Sequence, residues 1–114
     1  LEGNFAFAAG LQEMLLQSYT GQIAVFPAIP VSWTTLSFDQ LRAEGAFLVS
    51  AKMANGIVTS IKIVAEKGGE TRLKLPPGKL NILSAKGIET TSQANGFLSI
   101  RAAPGGWIVL GQGQ

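Results

Sequence analysis

A chain of 114 residues, 46% hydrophobic and 14% charged, is long enough for one domain with its own core and too apolar to be disordered. Its net charge of +2, with basic residues scattered along the chain, gives no electrostatic footprint for nucleic acid. Without Cys or His there is no disulfide frame, no thiolate or imidazole metal site and no histidine base, and no apolar run is long enough to cross a membrane as a helix.

The spacing predicts a helix over residues 1–20. Asn4 is a plausible N-cap, and Phe7, Ala8, Leu11, Met14 and Leu15 recur at three- and four-residue intervals. Gln12, Glu13 and Gln17 gather on another side, and Gly21 supplies the stop. The apolar stripe is wide for a helix beside a sheet. It reads either as an ordinary packing helix or as the last helix of an all-helical body upstream, whose removal leaves an apolar patch that invites self-association. The chain starts at Leu1 without Met and reads as a piece of a longer protein.

From Gln22 the period changes to two. Ile23 to Phe26 reads as a short strand closed by Pro27, with Pro30 barring any helix. Trp33 follows in a loop, where it is either a core plug or a sugar-stacking platform. A strand is expected around Leu36 to Leu41, with Asp39 in a bend. The strongest local signal comes next. Phe47, Val49, Ala51 and Met53 share one face of a strand, and Ile57, Thr59, Ile61, Ile63 and Ala65 share one face of another. Asn55-Gly56 between them fits a type I′ turn, so the pair reads as a hairpin with one apolar face. Lys67 to Glu70 forms a second turn, followed by a strand through Thr71, Leu73 and Leu75. Leu80 to Leu83, Ile88 to Thr91, Phe97 to Ala102 and Trp107 to Leu110 are further short strands, separated by turns at Asn95-Gly96 and Pro104-Gly105-Gly106. The expected fold is mainly β: an antiparallel β-sandwich of about seven to nine strands preceded by one α-helix.

Residue chemistry alone does not announce an enzyme. Glycoside hydrolysis uses two carboxylates across a cleft, and no two here pair in an obvious pocket; Glu66 and Glu70 flank a turn and read as solvated. A serine nucleophile lacks a histidine, the Gly-Gly pairs sit in turns rather than phosphate cradles, and no calcium loop occurs. No cofactor, metal, nucleic acid or membrane is expected as a partner.

Four motifs in order resemble the C-terminal end of family 95 glycoside hydrolases, the inverting α-L-fucosidases and their relatives. They are Gly3-Asn4-Phe5, then Glu13-Met14-Leu15-Leu16-Gln17-Ser18, then Phe26-Pro27-Ala28-Ile29-Pro30-Val31-Ser32-Trp33, then Leu41-Arg42-Ala43-Glu44-Gly45-Ala46-Phe47. The resemblance implies that 1–20 is the last helix of an (α/α)6 catalytic barrel and that 22–114 is the C-terminal β-sandwich, inactive alone. The family's general base precedes its Gly-Asn-Phe; the matching residue here is Glu2 where the fucosidases carry aspartate. Ala6 and Glu44 also depart from the family pattern, marking a divergent branch. The general acid lies upstream, outside this sequence. By the same resemblance the parent enzyme is periplasmic or secreted and acts on an oligosaccharide. The rival expectation is a carbohydrate-binding module in which Trp33 or Trp107 stacks on a sugar ring.

Overall fold

The Asn55-Gly56 turn has positive φ at both residues, +52° and +76°, as a type I′ hairpin demands. It joins β4 (Phe47–Ala54) to β5 (Ile57–Ala65). The computed structural model describes residues 15–19, 21–27, 35–76, 80–92 and 96–112. Six more strands complete the described architecture: β1 (Leu16–Tyr19), β2 (Gln22–Val25), β3 (Leu36–Ala43), β6 (Gly69–Lys74), β7 (Asn81–Ser92) and β8 (Phe97–Gly111).

β8 organises them. Its first part, Phe97 to Ala102, pairs antiparallel with β6, and its last part, Gly106 to Gly111, pairs with β5. β7 runs along its other edge through both parts. One half therefore reads β1-β2-β6-β8 and the other β3-β4-β5-β8, with the β7–β8 hairpin shared. All pairings are antiparallel except β2 with β6. At the opposite side the halves meet where the Glu44 amide donates to Ser18 Oγ at 2.6 Å.

Alternation builds the core. Phe47, Val49, Ala51 and Met53 of β4 are buried, as are Leu73 of β6 and Leu98, Ile100, Ile108 and Leu110 of β8. Ile61 and Ile63 are both 0% exposed, so the apolar face expected of β5 is at the centre of the molecule. The alternation slips near the turn. A register shift between Lys52 and Met53 turns Val58 inward and leaves Ile57 out, against the expectation that Ile57 shares the inner face.

The expected helix is corrected. The described residues hold no helical element, and the end of that segment is strand β1, hydrogen-bonded to β2 from Leu16↔Val25 to Tyr19↔Gln22. Gly21, read as a helix stop, instead turns the β1–β2 hairpin; its carbonyl accepts from the Arg72 amide at 3.0 Å and from Thr71 Oγ1 at 3.4 Å. Leu16 is buried together with Ile23 and Val25 of the strand it pairs with, so at this end of the segment sheet pairing outranks local helical preference. Residues 1–14 of that segment lie outside the described residues.

Two other expectations change. The strands expected at Leu80 to Leu83 and Ile88 to Thr91 merge, from Asn81 on, into the single long β7, and Pro104-Gly105-Gly106 is a bend inside β8 rather than a turn between strands. Backbones crowd there: a Cβ on Gly106 would stand 2.6 Å from the Gly87 carbonyl oxygen. Gly87 itself lies at the register shift of β7, so both strands of the hairpin bend together and carry the chain from one half to the other.

Candidate functional site

The residues named from sequence do not converge on a described site. Glu2 and Trp33 lie outside the described residues. Trp107 sits half-buried on the outer face of β8, opposite Val64 of β5 on one side and Lys86 of β7 on the other. Glu66 pairs with Arg42 at 2.7 Å and Glu70 with Arg101 at 2.9 Å, both at the surface, where such pairs contribute little. Among the described residues no three acidic side chains gather to hold a metal.

What the fold does build is a concave outer face on β3, β4, β5 and β8, an open depression of about 600 Å³. Its origin is a β-bulge. Register shifts by one residue between Phe38 and Leu41, so Asp39 and Gln40 together oppose Ser50. Gln40 takes φ +56°, an unfavourable conformation for a residue with a Cβ. Ser50 holds it there: its hydroxyl accepts the Gln40 amide at 2.9 Å and donates to Asp39 Oδ1 at 2.9 Å. The bulge thereby sets a carboxylate at one wall of the depression. Lys52 and Lys62 stand beside it, and Ser37 and Ser60 line it as well.

The floor is apolar. Pairing aligns Leu48 with Val64 and Trp107 in one cross-strand row, and Ser50 with Lys62 and Val109 in the next. Leu48, Val64 and Val109 are only half-buried on this side, opposite the fully buried row on the inner face. Sequence reading placed Asp39 in a bend but missed this surface. The available signal was Leu48, Val64 and Val109 at outward-facing positions, where a solvated sheet normally carries polar side chains.

A second depression of about 450 Å³ lies at one open end, between the halves. The β4–β5 turn at Gly56 meets Phe26-Pro27 and Leu75-Pro76 there. The chain also enters at this end, since the Phe26 amide donates to the Leu15 carbonyl at 2.7 Å. Phe26 packs on Phe38 with ring centroids 5.3 Å apart, tying the entry to the core.

Among the described residues, three large hydrophobics are exposed near this end: Ile57 at 47%, Ile82 at 46% and Leu83 at 55%. Ile57 adjoins the β4–β5 turn, and Leu83 lies over Gly111 beside the Thr59 carbonyl.

Residues 17–110 match the family described as Glycoside hydrolase family 95, C-terminal domain. The chain is also 33% identical over 90 residues to Alpha-L-fucosidase 2 of Arabidopsis thaliana. That alignment covers 70% of this chain and 11% of the plant protein, so the chain spans only a small part of its relative's length. The sandwich built around β8 coincides with the matched residues from β1 almost to the end of β8, and the chain belongs to glycoside hydrolase family 95 as its C-terminal domain.

Proposed function

We propose that this domain is a non-catalytic accessory body of an α-L-fucosidase-like parent, seated against the catalytic (α/α)6 barrel of the same polypeptide. On this reading the residues before β1 lead back into the barrel, and Glu2 belongs to the barrel's site at the position of the family's general base. Hydrolysis then needs the upstream acid, and the domain's contribution is to hold the barrel's flank.

The observation that carries the reading is the gathering of Ile57, Ile82 and Leu83 at the end where the chain enters. Apolar side chains of this size left open beside an entry point are suited to burial in an interdomain contact. The test is thermal unfolding of the parent enzyme carrying Ile57→Ser together with Leu83→Ser. The parent's midpoint is expected to fall by several degrees, while the same changes in the isolated 114-residue chain leave its midpoint within about 1–2 °C, as surface substitutions do. Equal shifts in both proteins would mean that these residues serve the domain alone.

A further inference from the structure

We propose that the concave outer face of β3, β4, β5 and β8 is a binding site for a neutral oligosaccharide. The inference rests on the reading that the parent enzyme works on carbohydrate, and it gives the domain a role of its own in holding a glycan chain.

Three observations point to this ligand class. The first is the bulge. A residue with a Cβ held at positive φ inside a strand is strained, and such strain persists where the surroundings fix it and gathers at ligand-binding positions. Here Ser50 fixes Gln40 and orients Asp39 with two hydrogen bonds of 2.9 Å each. The second is the mixture of groups. Asp39 offers acceptors, Lys52 and Lys62 offer donors, and Ser37 and Ser60 offer both. A polyol, which presents donors and acceptors around every ring, uses all of them. A phosphate or sulfate could pair with Lys52 and Lys62, but it would face the Asp39 carboxylate on one wall and leave that acceptor unused. The third is the floor. Leu48, Val64 and Val109 give a flat apolar strip of the kind that meets the C–H face of a sugar ring, and the row continues to the half-buried Trp107. The depression is open to solvent and offers about 600 Å³, within the range of small-ligand sites.

The experiment is a titration of the 114-residue chain with neutral fucosylated and non-fucosylated oligosaccharides, followed by amide chemical shifts. Saturable shifts confined to Gln40, Ser50, Lys62 and Val109, with a Kd of about 1 mM or tighter, are expected. Lys52→Ala with Lys62→Ala weakens binding at least tenfold while the remaining spectrum stays in place, because both side chains are exposed and outside the core. No saturable shift with any neutral oligosaccharide overturns the proposal. So do shifts that map away from this face, or binding of sulfated chains with none of neutral ones. Binding is read on the isolated chain, so its failure leaves the accessory reading to be decided by the parent's thermal unfolding.

Discussion

Gly106 and Gly68 show how much of this fold is decided by single missing methyl groups. Gly106 does not need glycine for its φ; it needs it for space, because an added Cβ meets the Gly87 and Ala103 carbonyl oxygens at 2.6 and 3.0 Å. Gly68 needs both. Its φ is +73°, and a Cβ would stand 2.8 Å from the Ala102 oxygen and from the Pro104 nitrogen. The obstacles are backbone atoms, which cannot swing aside as a side-chain tip would. Gly106→Ala is therefore expected to cost about 1–3 kcal/mol, the range for overpacking. Gly68→Ala adds the left-handed penalty of about 1–2 kcal/mol to a clash of the same kind. Urea midpoints of the two variants check the order: Gly68→Ala should unfold first. If Gly106→Ala matched the parent chain, the close approach of β7 to β8 at the bend would not exist in solution.

At the scale of elements, the strands whose patterns were legible are those where one register rule acts alone. β4 and most of β5 alternate cleanly because one face meets the core and the other meets water, and Asn55-Gly56 has only one turn to make. The pattern failed where a second force intervened. Residues 16–19 fell inside the expected helix, yet their backbone finds its partners in β2. Pro104-Gly105-Gly106 has turn chemistry, yet the chain bends there and continues because β7 bends with it. β7 reads as two short strands in the sequence; it is exposed along most of its length, so burial imposes no alternation to read. Of the residues assigned to function, Glu2 and Trp33 lie outside the described residues, and the surface that does have a shape came from a bulge that alternation arguments cannot see.

That bulge gives a prediction at the same scale. Ser50 is the one side chain that both accepts the Gln40 amide and donates to Asp39. Ser50→Ala removes both bonds, but Asp39 and Gln40 are exposed and regain water. The expected loss is therefore modest, about 1 kcal/mol, well short of a core truncation. The local effect should be larger than the global one: amide exchange at Gln40 should accelerate strongly while Ile63 and Ile108 stay protected. Uniform acceleration across all strands would show that the serine supports the whole sheet instead of the bulge.

For the whole molecule, the shared strand determines how the protein comes apart. Two packed sheets could in principle separate and melt one after the other, and β1 and β2 join the rest along a short parallel contact at Gln22↔Arg72 and Ile23↔Leu73. Against this, β8 contributes Leu98 and Ile100 to one half and Ile108 and Leu110 to the other, all buried, with β7 paired to it on both sides of the bend. Neither half can lose its central strand without stripping the other. Ile100→Ala and Ile63→Ala sit in different halves, and each should cost about 2–5 kcal/mol, as large-to-small changes at fully buried positions do. If β8 makes the halves one cooperative unit, each variant shifts a single unfolding transition that far-ultraviolet circular dichroism and tryptophan fluorescence report at the same urea concentration. Two separated transitions, with Ile100→Ala moving only the first and Ile63→Ala only the second, would mean that the bend at Pro104 divides the molecule instead of joining it.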